Sequence, residues 1–375
     1  MTEIHEFERQ VKRLDEREAE GGIAHGLPRL AYRSEAFYAL EQERVFARGW
    51  VFAGLAHEIP EPGDVVPVTV AGQPVILLRG REGGVAAFHN VCRHRGSILV
   101  DAPCRGQKVL TCPYHSWAYD LDGSLRATPH FAGHGKMTPP GFDRSQYGLK
   151  PVRCGQWQDW LFVNVEGNAP PIEDHVAPLA KLIEGMGLET MTPVATLDFG
   201  AVEANWKLLM ENFIEPYHVP TVHPETAGGQ PLKGHYAVIE DHCLGAAVDV
   251  TVADRKNGGR RLDMSARYLT LFPNFVLGVY MPDQMGVHLN IPDGPGRTRQ
   301  RRVIYLHKDR VPPPGAVAEL RDLWRKVHEE DHATCERLQA GRASPVMDDG
   351  GVLSPHWETS ERAFQKMVLE AVRAG

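Results

Sequence analysis

The sequence predicts an α+β fold in two parts, an all-β first part followed by an antiparallel sheet wrapped by helices. Three observations carry that reading. Between about residues 65 and 165, short apolar runs alternate with turn residues. After LFVNV (161–165) helical periodicity enters, and alternating strands return only from about residue 235. Gly 37 and Pro 28 make a turn-rich chain, which suits many short strands better than a helix bundle.

The first element, MTEIHEFERQVKRLDEREAEGG, places Ile4, Phe7, Val11 and Leu14 at helical spacing among charges and stops at Gly21-Gly22. That is an amphipathic helix, not a signal peptide. VVPVTV, VILLR and VAAFHNV follow as antiparallel strands, and WAYDL-DG-SLRA carries a hairpin signal at Asp122-Gly123. Residues 174–186 read as a helix. Another runs through NWKLLMENF, where Trp206, Leu209, Met210 and Phe213 form one apolar stripe. RYLTLF, NFVLGVYM and RRVIYLH are strands of the second sheet. A long helix spans about Ala316 to Ala340, and a last one begins near Thr359. The natural boundaries fall near 40 and near 170.

Composition excludes several classes. With 42% hydrophobic and 24% charged residues the chain is an ordinary globular one. A net charge of −7 speaks against general nucleic-acid binding. No stretch approaches 18 uninterrupted apolar residues, so no membrane span is expected. Without a secretory signal a cytoplasmic location is expected, and six cysteines then raise the question of metal ligation before that of disulfides.

Cys92-Arg93-His94 is followed, after 17 residues (95–111), by Cys112-Pro113-Tyr114-His115. Each pair follows a predicted strand on a tight loop, so two facing loops could hold a metal centre. Three readings compete: buried cysteines with unrelated histidines, a structural zinc site, and a Rieske [2Fe–2S] cluster with two Cys on one iron and two His on the other.

The motif C-x-H-x17-C-x-x-H in a strand-rich domain resembles that of the Rieske non-haem iron oxygenases, the α (terminal oxygenase) subunits of the aromatic ring-hydroxylating dioxygenase family. Neutral imidazoles in place of thiolates raise the potential of such a cluster to roughly −150 to +300 mV. It relays electrons, but oxygenation needs a second metal.

ENFIEPYHVPTVH (211–223) is the place to look for it. His218 and His223 lie five apart with Pro216 and Pro220 between, so no undistorted helix holds both, but a turn at Pro220 can bring both rings to one point. On the long helix, Trp324, Val327, Cys335 and Leu338 form an apolar stripe on which Asp331 also falls. Either a nearby Arg or a metal neutralises that carboxylate. Two His and one carboxylate make the facial triad of non-haem Fe(II) oxygenases.

The family pattern recurs in Asn205-Trp206-Lys207, Glu215, Tyr217-His218, His223 and Glu330-Asp331, and in the ending SPHWETSERAFQKMV, so the resemblance runs from about residue 40 to the end. It implies a helical segment at 1–40, a Rieske domain at 41–168 and a catalytic domain of helix-grip type at 169–375. The implied cofactors are one [2Fe–2S] cluster and one mononuclear Fe(II) per subunit, with O2 as co-substrate. Asn212 is expected beside the iron and Tyr217 behind its ligands. Glu215 matches the acid that, in a homotrimer, bonds the cluster ligand His115 of the adjacent subunit. Many dioxygenases of the family carry Asp there, and carnitine-type monooxygenases carry Glu. The implied reaction is hydroxylation or oxidative demethylation of a small organic substrate, an aromatic compound or a quaternary amine. The alternative is a Rieske electron carrier or binding protein without a functional catalytic iron.

No G-x-G-x-x-G opens a helix and no P-loop is present, so NAD(P)H is expected to be used by a separate reductase, with or without a ferredoxin between them. The run Arg297-Thr298-Arg299-Gln300-Arg301-Arg302 is expected as a charged, solvated strand edge. Cys104, Cys154, Cys243 and Cys335 are expected as small hydrophobes, and His242, His307, His328 and His332 show no ligand spacing. An aromatic acid would call for an Arg or Lys facing the iron, and a quaternary amine for an aromatic cage. Phe272, Phe275, Tyr280 and Trp357 read as core residues before they read as such a cage.

Overall fold

The computed structural model describes residues 2–226, 232–254, 260–280 and 283–374, with backbone alone at 250–254 and 260–264. The chain forms two compact units, 46–175, and 1–45 together with 176–375.

Unit 46–175 is built on strands, as the turn-rich composition requires. β1 (Val51–Leu55), β2 (Val65–Val70), β3 (Gln73–Arg79) and β4 (Val85–His89) come first. Three short strands follow, β5 (Leu110–Thr111), β6 (Ala118–Tyr119) and β7 (Leu125–Ala127), then β8 (Pro151–Trp157) and β9 (Trp160–Asn164). They make a six-stranded sheet in the order β1-β9-β8-β4-β3-β2 and a three-stranded sheet β5-β6-β7. The hairpin between β6 and β7 turns at Gly123, whose N–H donates to the Asp120 carbonyl. Its φ of +84° and a would-be Cβ contact of 2.4 Å with the Phe88 ring leave room for glycine alone. Ile76, Leu78, Phe88, Leu110, Trp117 and Tyr119 form one apolar core, and Cys92 and Cys112 are part of it.

The other unit begins with α1 (Glu3–Ala19), which buries Phe7, Val11 and Leu14 as its spacing predicts. α2 (Leu30–Arg33) and α3 (Glu35–Leu40) follow. α4 (Ile172–Leu182) starts and ends a few residues earlier than expected. α5 (Trp206–Ile214), α6 (Val219–Val222), α7 (Pro314–Gly341) and α8 (Thr359–Arg373) surround a seven-stranded antiparallel sheet. Its strands are β10 (Met191–Val202), β11 (His235–Glu240), β12 (Cys243–Asp254), β13 (Arg260–Leu271), β14 (Phe275–Tyr280), β15 (Gln284–Pro292) and β16 (Thr298–His307), in the order β10-β16-β15-β14-β13-β12-β11. Of NFVLGVYM, the strand ends at Tyr280 and Met281 lies outside the described residues. α5 is pinned by a fully buried ion pair, Lys207 Nζ to Glu41 Oε1 at 2.6 Å, and Asn205 caps it by accepting the Lys207 N–H.

Two expectations are corrected. The basic run does not form a solvated edge: β16 is the second strand of the sheet, and Gln300 and Arg302 are buried. The stripe of α7 is also different. Leu338 is 45% exposed, and the buried positions are His328, Cys335 and Gln339, with Asp331 partly buried between them. The reason is polar partners across the interface: His328 accepts from Arg302, and His332 Nε2 lies 2.6 Å from Gln300 Oε1.

Candidate metal centres

The two Cys–His loops share one backbone plan. Cys92 N–H donates to the Ser97 carbonyl while Gly96 N–H returns to Cys92. In the second loop Cys112 N–H donates to Trp117 and Ser116 N–H returns to Cys112. Gly96 and Ser116, at φ +78° and +57°, close the turns. Both sulfurs are buried, whereas His115 is exposed and His94 half-buried. The two imidazoles stand 4.7 Å apart, and His94 stacks on Trp117 at 4.9 Å.

Electrostatics favour a ligating state at Cys112 and His94, whereas burial holds the Cys92 thiol above its usual value. Burial raises the Cys112 thiol, but the N–H groups of Tyr114 and His115 outweigh it and bring its pKa below the usual thiol value. Burial, His115 and Arg95 lower the pKa of His94, favouring the neutral ring a metal needs. Tyr119 was not foreseen: its hydroxyl lies 3.3 Å from Cys92 Sγ and accepts the Arg93 N–H at 2.9 Å. Buried sulfurs behind more exposed imidazoles fit a [2Fe–2S] cluster held by two Cys and two His.

In the other unit Pro216 ends α5 at Ile214. The chain then makes the single-turn helix α6, with His218 at its N-terminal boundary and His223 at its C-terminal one. Pro220 sits in the first turn, where no N–H donor is missed. The histidines therefore bracket a short helix, and α7 brings Asp331 opposite them. One ligand atom from each of His218, His223 and Asp331 lies within 4.8 Å of the others. Asp331 Oδ1 is 2.9 Å from His223 Nε2 and 3.6 Å from His218 Nε2.

Behind each ring stands a carboxylate. Glu215 Oε1 is 2.5 Å from His218 Nδ1, and Glu215 Oε2 accepts the N–H groups of Tyr217 and His218. Glu330 Oε2 is 2.8 Å from His223 Nδ1 and accepts the Thr226 hydroxyl at 2.6 Å. Both Nδ1 atoms are thus engaged, leaving both Nε2 atoms turned towards Asp331. Burial opposes charge on His223, but its bonds to Asp331 and Glu330 prevail and raise its pKa. A divalent cation would satisfy the same pull.

Asn212 lies on α5 with Oδ1 3.7 Å from Cys335 Sγ, one turn beyond Asp331 on α7. The Tyr217 ring is 54% exposed and stacks on Trp357 at 6.3 Å, so only its backbone N–H joins the site through Glu215. Of the four aromatics weighed as a cage, Phe272 packs on Phe364, Phe275 is buried, and Tyr280 alone approaches Arg302. The roles of Glu330 and Thr226 were not foreseen, although Glu330 adjoins Asp331 in sequence.

Residues 49–139 match the Rieske [2Fe-2S] domain, and residues 188–374 match the family described as ring hydroxylating alpha subunit (catalytic domain). The glycine betaine monooxygenase oxygenase subunit of Pseudomonas aeruginosa (strain UCBPP-PA14) is 30% identical over 371 residues, covering 86% of this chain and 84% of its own. The chain is a Rieske oxygenase α subunit. The chloroplastic choline monooxygenase of Spinacia oleracea is 27% identical, covering 94% of this chain and 78% of its own. In structure, this α subunit resembles a quaternary ammonium Rieske monooxygenase (TM-score 0.83, 23% identity, 94% and 97% of the two chains). It also resembles naphthalene 1,2-dioxygenase from Rhodococcus sp. (TM-score 0.78, 19% identity, 98% of each).

As a Rieske non-haem iron oxygenase it is a terminal oxygenase with a [2Fe–2S] cluster and a mononuclear iron, supplied with electrons by a reductase. No helix among the described residues is long and apolar enough to cross a membrane.

Proposed function

We propose that this α subunit is a monooxygenase of small quaternary or N-methylated amines, with its cluster on Cys92, His94, Cys112 and His115 and its Fe(II) on His218, His223 and Asp331. The observation that carries the reading is the pair of carboxylates, Glu215 and Glu330, that fix the two histidine rings with Nε2 towards Asp331. An electron carrier has no use for that arrangement. Iron held there supplies O2 activation. The chain's own residues position it: Glu215 and Glu330 hold the Nδ1 protons, and burial of His223 keeps water from that ligand.

The Rieske domain is assigned to 41–168 and the catalytic domain to 169–375, after a helical segment at 1–40. The working assembly is a homotrimer in which Glu215 meets His115 of the partner subunit. The exposure of His115 and the anchoring of Glu215 on His218 support it. Electrons come from a separate reductase, directly or through a ferredoxin, and a cytoplasmic location suits that supply. The substrate class follows the relatives, which act on glycine betaine and choline by name. The aromatic rings of Phe213, Tyr268 and Tyr280, each about 6 Å from the next, suit a quaternary ammonium.

The test is O2 uptake by the loaded enzyme with NAD(P)H and a surrogate reductase, across quaternary amines and simple arenes, with product mass. In demethylation one oxygen atom ends in formaldehyde and the other in water. Amine-dependent uptake with an oxidised or demethylated product supports the proposal. Turnover of arenes alone transfers the enzyme to the aromatic class, and no uptake by iron-replete protein overturns the assignment.

A further inference from the structure

Arg302 is 1% exposed, on the face of β16 that meets α7. Its Nη1 lies 2.9 Å from His288 Nε2 and 3.1 Å from His328 Nε2. Burial, followed by neighbouring positive groups that include Arg302, holds both imidazoles well below the usual histidine range, so they stay neutral acceptors. The guanidinium stacks on Trp324, 3.6 Å from the ring centroid. It also presses against Gly286, where a Cβ would come within 2.3 Å of Nη2. Gly286 pairs with Gly278 in the next strand, and a Cβ at Gly278 would collide with the Tyr280 hydroxyl. Two glycines in register thus clear the sheet for Arg302 and Tyr280.

Nε and Nη2, the two donors along one edge of the guanidinium, are buried and have no hydrogen-bond acceptor among the described residues. The Tyr280 hydroxyl approaches without reaching hydrogen-bond geometry. The carboxylate that acts on Arg302 through space is Asp331, which belongs to the metal set. A buried cation with an unused two-donor edge is costly unless an anion completes it, and that edge matches the two oxygens of a carboxylate.

We propose that the Nε–Nη2 edge of Arg302 binds the carboxylate of the substrate, so that this oxygenase acts on a carboxylate-bearing, anionic or zwitterionic, small molecule. The inference rests on the iron assignment above, because it places the carboxylate on the sheet side of Asp331.

The experiment is calorimetric titration of the iron-loaded, oxidised enzyme with two matched pairs, glycine betaine against choline and benzoate against benzamide. At least one carboxylate should bind about tenfold or more tightly than its uncharged or cationic twin. Arg302→Leu should erase the gap, and Arg302→Lys should keep part of it. If Arg302→Leu does not fold, the wild-type pairs and Arg302→Lys decide. Equal binding within both pairs, a preference that survives in Arg302→Leu, or no carboxylate binding at millimolar concentration overturns the proposal. In Asp331→Ala, O2 uptake should vanish while the carboxylate preference persists, so failure of the iron assignment and failure of the anion site give different results.

Discussion

Glu215 Oε1 lies 2.5 Å from His218 Nδ1, on the far side of the ring from Asp331. The same carboxylate accepts the N–H groups of Tyr217 and His218, so it is fixed by the turn it helps to form. A residue expected only as a bridge to another subunit thus has a role within its own chain: it orients the His218 ring.

Glu215→Gln keeps the shape but weakens the hold on the Nδ1 proton. Iron affinity should fall about ten- to a hundredfold, with the cluster's visible spectrum unchanged. Iron titration of the apo-catalytic site checks this. If the site is refilled with iron and product per reduced cluster is still low, the bridging role is supported as well.

Tyr119→Phe removes the hydroxyl beside Cys92 Sγ. Hydrogen bonds to cluster sulfurs favour the reduced, more negative state, so the cluster potential should drop. The lost bond to the Arg93 N–H should cost about 1 kcal/mol of stability. Protein voltammetry reads the first, and an unchanged potential contradicts it.

Lys207 and Glu41 are both fully buried, and burial lowers the pKa of the first and raises that of the second. Lys207→Met leaves Glu41 without its counter-ion and should cost about 3–5 kcal/mol, while the double change Lys207→Met with Glu41→Met should recover most of it. Urea unfolding of the three proteins measures both differences.

Glu361 is pushed well above the ordinary glutamate value of 4.5, first by burial and then by Glu211, Glu358 and Glu215, with Arg342 opposing. Above that value the folded chain holds a proton that the unfolded chain has released, so stability falls as pH rises, by up to about 1.4 kcal/mol per pH unit. Glu361→Gln cannot ionise and should flatten that part of the curve as pH rises above about 5. Parallel stability–pH curves for the two proteins would refute the shift.

Local features of the chain were legible in advance. The Cys–His loops, the prolines around His218 and His223, and the hairpin at Gly123 are decided by residues within a few positions of each other. Asp331 could be singled out because a carboxylate on a buried stripe needs a partner. Periodicity failed at Leu338, and the run of charges misled at Arg302, because burial there depends on what lies across the interface: α7 turns His328 inward to Arg302, and β16 gains a neighbour in β10. The role of Glu330 depends on α6 packing against α7, a contact between residues more than a hundred positions apart.

Iron stoichiometry with visible spectroscopy, on wild type and Asp331→Ala together, tests the two-centre assignment most directly. About three Fe per wild-type chain and about two in the variant, with the same Rieske spectrum in both, is the predicted result. About two Fe in wild type, or three retained in Asp331→Ala, would contradict it.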